Sequence, residues 1–205
     1  YLDAVHYQDD DGTWKEMDDS LKEMDGEDSE KEFSNKKGKF QFKMKKHSKE
    51  KGMFTLKKGD AQIRWGFEGA AKITAVKEDG EKVRYKDILK GTDLVCMIRG
   101  EKVKEDIILA SPETDNEFTY IYEMKDLTPV QQKEAVAFMD ADGKTVFYVS
   151  APYMIDAAGI KSEAVKVLLS DADKKGKGCR ITFIPDKNWL SAPERVYPVV
   201  IDPVT

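Results

Sequence analysis

Apolar and polar residues alternate along several short runs of this chain, and this alternation constrains its fold more than any other feature. Residues 40–44 read FQFKM, with three apolar residues separated by two polar ones. Similar alternation recurs at residues 63–67, 120–124 and 179–183. A period of two places alternate side chains on opposite faces of a β-strand. The sequence therefore predicts many strands, each with one buried face.

Turn signals separate these runs at short intervals. DDDG at residues 9–12 and DADG at 140–143 each lie between strand-like runs, which predicts two β-hairpins. Helical signals are confined to SLKEM at 20–24 and TPVQQKEAV at 128–136, and both segments are too short to connect parallel strands. We therefore predict an all-β fold, an antiparallel β-sandwich of about a dozen short strands with one or two short helical turns.

Domain boundaries are not evident, because no Gly-, Ser- or Pro-rich linker interrupts the middle of the chain. A single β-sandwich module over residues 1–205 is predicted. The polar stretch 19–37 is predicted to be a mobile loop. Four of the seven prolines lie from residue 185 onward. Because proline has no N–H for a β-ladder, we predict that residues 196–205 form a terminal strand, placed at a sheet edge, and a stiff connector to a following module.

Charge is unevenly distributed along the first quarter of the chain. Residues 9–32 hold twelve acidic residues against three lysines, and residues 36–58 hold ten lysines against Glu50 alone. The lysine-rich run is either a site for a polyanion, such as a cell-wall teichoic acid, or a pair of strands neutralised by the acidic stretch. The second interpretation is favoured, since charge runs are usually solvated faces. With a net charge of −5, the chain is predicted to have no nucleic acid partner.

Motifs for metal or catalytic chemistry are scarce. The chain has only two histidines, which excludes HExxH pairs and multi-histidine metal sites; His6 is interpreted as structural and His47 as solvated. We predict no catalytic residues, no metal and no cofactor. Cys96 and Cys179 lie in different apolar runs and are predicted to be buried free thiols, with a disulfide as the alternative. No apolar run approaches the ~18 residues that cross a membrane.

Aromatic residues supply one candidate binding site. If exposed, they would stack on the sugar rings of a glycan. The candidates for this glycan site are Tyr7, Trp14, Tyr153 and Trp189. Trp189 lies beside a proline-rich turn and is also interpreted as a plug that closes one end of the sandwich, whereas Trp65 is predicted to lie in the core.

Charged residues on predicted strands supply two further candidates. Glu68, Glu105 and Asp106 are the carboxylates available to a glycan-cleaving enzyme, which needs two of them about 5–9.5 Å apart. Lys104, Glu105 and Asp106 also interrupt an otherwise apolar strand and form a predicted structural polar cluster. We hypothesise that Glu105 points inward to an arginine or to backbone amides at a corner between sheets, where it fixes the strand register.

Four phrases occur in order along the chain: AVHYQDDDGTWKEMDDSL, VRYKDILKGTDLVCMIRGEKVKEDIIL, APYMIDAAG and PDKNWLSAPERVYPVVIDP. Together they resemble the N-terminal module of large exported bacterial surface proteins of the wall-associated type, which carry DNRLRE domains and RHS/YD repeats. The likeness runs from about Ala4 to Pro203, and its most specific parts are residues 93–109 and 189–203.

This resemblance implies an extracellular protein, either secreted or held on the bacterial cell surface. Neighbouring domains of the same polypeptide are the implied partners, and a cell-wall or host glycan is a further one. The resemblance supplies no catalytic residues. We therefore predict a non-enzymatic structural or adhesive module that acts as a spacer or cap for following repeats. The alternatives are a carbohydrate-binding module and, from another class, a glycan-cleaving enzyme.

Overall fold

The computed structural model describes residues 6–8, 11–16, 18–26, 30–78, 81–171, 178–203 and 205. These residues form twenty strands and one four-residue helix, α1, at Lys187–Leu190. The strands, in chain order, are β1 (His6–Gln8), β2 (Trp14–Glu16), β3 (Asp18–Asp25), β4 (Lys31–Lys37), β5 (Gln41–Lys45), β6 (Phe54–Lys58), β7 (Ala61–Phe67), β8 (Val76–Glu78), β9 (Lys82–Leu89), β10 (Thr92–Arg99), β11 (Lys102–Leu109), β12 (Phe118–Met124), β13 (Thr128–Gln132), β14 (Ala135–Met139), β15 (Thr145–Val149), β16 (Tyr153–Ile155), β17 (Lys161–Ser162), β18 (Val165–Asp171), β19 (Gly178–Pro185) and β20 (Val199–Asp202).

Two large sheets contain most of the strands. One has seven strands in the order β17-β16-β20-β11-β10-β9-β8, and the other has eight in the order β18-β19-β12-β7-β6-β5-β4-β3. The smaller sheets are the hairpin β1-β2 and the three-stranded sheet β13-β14-β15. The strand pairings in the described part of the chain are antiparallel. β1 pairs with β2 and β14 with β15, as the two predicted hairpins require, although residues 9 and 10 of the first turn lie outside the described residues. The predicted all-β class is therefore confirmed, with more strands than predicted.

The two large sheets share one hydrophobic core. Trp65, on β7, is fully buried there, as predicted, and its ring stacks on Phe42 and Tyr122 at centroid distances of 6.0 and 5.6 Å. From the seven-stranded sheet, alternate residues of β11, including Val103 and Ile107, enter the same core. Burial of large aromatic side chains contributes most of the stability of such a core.

Both predicted helical segments are wrong, because their residues form strands. SLKEM lies in β3, where Leu21 is fully buried and pairs with Asn35 of β4. TPVQQKEAV covers β13 and the start of β14. Pro129 is tolerated there because β13 is an edge strand, and the missing N–H of a proline removes no ladder hydrogen bond on the open side.

The predicted loop over residues 19–37 is also wrong. Most of this stretch belongs to β3 and β4, which pair antiparallel from Asp18 to Lys37. The pairing gives the polar residues a backbone ladder, and one apolar face remains to pack on the core. Polar composition alone did not distinguish these strands from a loop, because the outer face of an edge strand is also expected to be polar.

The carboxyl-terminal strand occupies a different place from the predicted one. β20 lies inside the seven-stranded sheet, between β16 and β11, rather than at an edge. Its two prolines, Pro198 and Pro203, flank the strand and leave its own N–H groups free to pair on both sides. Beyond β20, Thr205 continues to pair with Val103 through N···O distances of 2.7 and 2.9 Å. These residues are therefore part of the sheet, and a connection to a following module stays a prediction.

The outer edge of β18 is covered by side chains of the three-stranded sheet. Gln131 donates from Nε2 to the carbonyl of Val167 at 2.6 Å and accepts from the N–H of Leu169 at 3.0 Å. The Glu134 carboxylate accepts from the N–H of Val167. Unpaired edge groups invite pairing with another chain, so these contacts protect the eight-stranded sheet from edge-to-edge association.

Removal of this edge protection is expected to destabilise the protein. Gln131→Ala and Glu134→Ala should each lower the free energy of unfolding by about 1 kcal/mol, because each leaves an edge group without its protein partner. Urea denaturation measures the loss, and Gln132→Ala, at an exposed neighbouring position, is the matched control. Equal stability of all three variants would show that the edge contacts contribute nothing.

No helix in the described part of the chain is long and apolar enough to span a membrane.

Candidate binding cleft

A cleft of about 400 Å³ lies where three sheets meet, and it falls in the size range of small-molecule sites. β6 of the eight-stranded sheet, the start of β11 and the strand β15 all contribute to its walls. The residues that line it are Lys39, Phe40, Leu56, Lys58, Glu101, Lys102, Val103, Val146, Phe147, Tyr148, Ser150 and Thr205.

The floor of the cleft is apolar. Leu56, Val103 and Phe147 are buried members of the core, and they reach the cleft from three different sheets. Phe40 and Val146 are half-buried and pack against that core. Tyr148 is 43% exposed, which is high for a large aromatic residue. The cleft therefore presents apolar surface that water solvates poorly.

The rim of the cleft is basic. Lys39 pairs with Glu101 through Nζ and Oε1 at 2.6 Å. Lys58 and Lys102 are exposed, and neither forms an ion pair with any residue that the structure describes. The side chains of three lysines against that of one glutamate leave a formal side-chain charge of +2 around the opening. This arrangement favours an anionic group.

Several other lysines of the run 36–58 form ion pairs with acidic residues. Lys43 pairs with Glu32 at 2.9 Å, whereas Lys45 and Lys49 share Glu30 at 3.1 and 2.6 Å. The hydrogen bonds from Lys49 and Lys45 lower the pKa of Glu30. This is the neutralised pair of strands that the charge pattern favoured. Lys51, Lys57 and Lys58 have no ion-pair partner among the described residues, and of these three only Lys58 lines the cleft.

Glu105 is buried between the two large sheets and accepts a hydrogen bond from Trp65 Nε1 at 3.0 Å. The predicted arginine or backbone partner is therefore replaced by an indole from the opposite sheet. Burial raises the pKa of Glu105 to about 7, against the opposing effect of the Trp65 hydrogen bond. Cys96 lies directly across from Glu105 on β10, and burial raises the pKa of its thiol. A role for Glu105 in fixing the strand register stays a prediction.

The neighbours of Glu105 on β11 point to the other face of the sheet, as a strand requires. Lys104 Nζ lies 3.2 Å from Asp106 Oδ1 and 2.9 Å from Oδ2 of the buried Asp202. The structural polar cluster is thus divided between two faces. Adjacent carboxylates on opposite faces do not converge on one substrate, and the third candidate, Glu68, pairs with Arg180 of the eight-stranded sheet at 3.2 Å.

The predicted glycan-binding aromatics lie on separate elements. Trp14 is 68% exposed on β2. Tyr153 lies on β16, where Lys161 Nζ is 5.1 Å from its ring centroid, and Trp189 lies in α1 under the guanidinium of Arg195. The Tyr7 side chain lies outside the described residues, as does that of His6. Glycan binding by these residues stays a prediction.

A buried ion pair, which the sequence analysis did not predict, connects the carboxyl-terminal segment to the residue after β16. Arg195 Nη1 donates to Asp156 Oδ2 at 2.6 Å, and the two side chains are 5% and 0% exposed. The guanidinium carbon of Arg195 lies 3.6 Å from the ring centroid of Trp189. Asp156 Oδ1 also accepts from the N–H of Ile160 at 2.8 Å. The sequence did mark this region, because Trp189 and Arg195 both lie within residues 189–203, one of the two most specific parts of the resemblance.

Further predictions concern the two cysteines, His47 and a metal site. Cys96 and Cys179 are buried and free, as predicted. His47 is exposed, with Nδ1 3.1 Å from the Thr74 hydroxyl. Within the described ranges, no group of three or more His, Cys, Asp or Glu residues is arranged to hold a metal ion. The helix α1 was missed, although Asp186 caps it by accepting from the N–H of Asn188 at 2.9 Å.

Comparison with known proteins gives relatives of one kind. No family model matches the chain, and no solved structure matches it. The chain is 29% identical over 218 aligned residues to the tRNA(Glu)-specific nuclease WapA of Bacillus subtilis subspecies natto. It is equally similar to the tRNA nuclease WapA of Bacillus subtilis and 28% identical to the tRNA3(Ser)-specific nuclease WapA of Bacillus spizizenii. All three relatives are named tRNA nucleases. Each alignment covers 100% of this chain but 9% of the relative.

These relatives correct two predictions and remove the support for a third. The resemblance to a DNRLRE and RHS/YD module is wrong, since the matches over the whole chain are tRNA nucleases and no family model matches. The prediction of a non-enzymatic protein is contradicted by the same names. The predicted absence of a nucleic acid partner is not supported either, because the relatives are named for tRNA. The chain aligns with a small part of each relative, and the relatives are much larger polypeptides.

Proposed function

We propose that this chain is a structural and adhesive module of a large extracellular bacterial polypeptide. One observation supports this proposal most directly: the whole chain aligns as a unit with about a tenth of the length of each relative. An antiparallel sandwich with a continuous core is an architecture shared by many cell-surface domains. The proposed role is to hold the larger polypeptide, which we propose to be a tRNA nuclease, at a surface.

The cleft is the proposed adhesive site. Its apolar floor and basic rim combine the two features that concave ligand sites use, a large apolar contact area and a few placed polar groups. The exposed Lys58 and Lys102 supply charge without a competing ion pair among the described residues. An anionic component of a bacterial envelope is the proposed partner.

The proposal is tested with the 205-residue chain expressed alone and labelled with a fluorophore. We expect saturable binding to isolated bacterial envelopes, weakened about tenfold in the double variant Lys58→Gln/Lys102→Gln, because each lost charge contributes a few-fold to affinity. The double variant Lys57→Gln/Lys90→Gln removes the same charge from exposed positions outside the cleft and is the matched control.

Three outcomes decide between the alternatives. Saturable binding that only the cleft variant loses supports the adhesive role. Equal weakening by both double variants, or no binding by the intact chain, contradicts it. Cleavage of tRNA by the chain alone would instead place the nuclease activity of the relatives in this part of the polypeptide.

A further inference from the structure

We infer that the cleft binds an anionic amphiphile, a molecule with one phosphate or carboxylate group attached to a hydrocarbon chain. This inference rests on the proposed adhesive role of the cleft and names the chemical class of its ligand. Neither the names of the relatives nor the fold assigns such a ligand.

The shape and composition of the floor argue for the hydrocarbon part. The apolar residues that line the cleft come from three sheets, so the surface is concave rather than a single flat sheet face; they are Phe40, Leu56, Val103, Val146, Phe147 and Tyr148. Covering such a surface with a hydrocarbon chain removes it from water, and each buried methylene strengthens binding about fourfold at most. A highly charged polymer without an apolar part would leave this floor uncovered.

The charges at the rim argue for the anionic part. Lys39 Nζ forms an ion pair with Glu101 Oε1 at 2.6 Å. Lys58 and Lys102 have no ion-pair partner among the described residues. A lysine ammonium binds phosphate or carboxylate as a compact point charge. Two available ammonium groups beside an apolar floor match a small anionic head on an apolar tail. A neutral amphiphile would leave both without a partner.

The ion pairs of the lysine-rich run reduce the number of positive charges that are available near the cleft. Lys43, Lys45 and Lys49 of the same run are held by acidic residues of the neighbouring strand and loop. Their charge is therefore locally balanced. Lys51 and Lys57 of the run are exposed and have no ion-pair partner among the described residues, but neither lines the cleft. Lys58 and Lys102 differ from these two lysines because they lie beside the apolar floor.

Alkyl phosphates are suitable probes. Isothermal titration calorimetry with octyl, decyl and dodecyl phosphate, each below its micelle concentration, should give dissociation constants that fall about two- to fourfold per methylene until the cleft is filled. Inorganic phosphate and dodecyl maltoside test the charged and apolar parts separately, and each should bind at least about tenfold more weakly than dodecyl phosphate. These arms distinguish a lipid-like ligand from free phosphate.

Variants locate the binding site. Lys58→Gln/Lys102→Gln should weaken dodecyl phosphate binding about tenfold, whereas Lys57→Gln/Lys90→Gln should leave it unchanged. Because all four lysines are exposed, the variants are expected to fold as the wild type does, and their thermal denaturation verifies this.

The result separates this inference from the proposed function. Equal binding of inorganic phosphate and dodecyl phosphate, no dependence on chain length, or equal loss in both double variants overturns the amphiphile assignment. If envelope binding still requires Lys58 and Lys102, the adhesive role stands and only the ligand class is wrong. If envelope binding does not require them, the adhesive role of the cleft fails as well.

Discussion

Replacement of Arg195 by methionine is expected to lower the Tm of the protein by about 10 °C. Removal of one partner of a buried ion pair leaves the other charge buried without its counter-ion, which is among the most destabilising changes in a folded protein. Here the carboxylate that loses its partner is that of Asp156, whose side chain has no exposure to solvent. The substitution also removes the contact of the guanidinium with the Trp189 ring.

The surroundings of Arg195 provide a precise control. Glu194 lies next to it in the sequence, is 73% exposed, and approaches the same guanidinium at 3.9 Å. Exposed ion pairs contribute little, so Glu194→Gln should change the Tm by about 2 °C or less. Differential scanning calorimetry of both variants measures the contrast. Similar small shifts for both would show that the buried pair does not hold the carboxyl-terminal segment.

A double-mutant cycle isolates the pair itself. Asp156→Ala combined with Arg195→Met removes both charges, and the double variant should be more stable than the sum of the single losses predicts. Strictly additive losses would show that the two side chains act independently, in conflict with their 2.6 Å contact.

Glu105 is expected to make the protein less stable as the pH rises. Its pKa in the folded protein is raised from the ordinary value of 4.5 to about 7 by burial, so the folded state binds the proton more tightly than the unfolded state. The stabilisation from the protonated carboxyl is complete below about pH 4.5 and is lost as the pH rises through about 7. A difference of this size corresponds to about 3 kcal/mol in the free energy of unfolding.

Glu105→Gln removes this pH dependence while preserving the size of the side chain and an acceptor for Trp65. We expect the variant and the wild type to have similar stability at pH 4.5. At pH 8.5 the variant should be more stable by up to about 3 kcal/mol. Urea denaturation at half-unit intervals of pH gives both curves, and the contribution of Asp106, whose pKa burial also raises, cancels in the difference.

Parallel stability curves for the two proteins would contradict the assignment of a buried, protonated carboxyl at position 105. A wild type that loses stability as the pH falls from 7 to 5, relative to the variant, would reverse the sign and show that Glu105 is stabilised as a carboxylate. Trp65→Phe tests the hydrogen bond separately, since it keeps an aromatic ring while removing the Nε1 donor.

The alternating runs of the sequence predicted much of the secondary structure. Alternation is local information, since the period of a strand decides which of its side chains share a face. Residues 40–44 and 63–67 therefore revealed both the strands and their buried faces, including the position of Trp65. The same reasoning failed at Pro129, because a helix-start signal and an edge-strand proline look alike without knowledge of the neighbouring strands.

The cleft shows most clearly why the candidate site could not be read from the sequence. Lys58 stood out only as one of ten lysines, and Tyr148 only as one residue of a strand. Their proximity depends on the meeting of three sheets, which no local pattern specifies. The charge pattern did predict that much of the lysine-rich run would be neutralised, because acidic and basic stretches close in sequence form neighbouring strands.

By itself, the sequence determined the β class, the hairpins, the buried thiols and the apolar faces, all of which follow from residues within a few positions of one another. Only the tertiary structure decided that Glu105 meets Trp65, that Arg195 meets Asp156 and that the last strand lies inside a sheet. The physical reason is that strand order is selected by the free energy of the whole core. That energy depends on contacts between residues about forty or more positions apart.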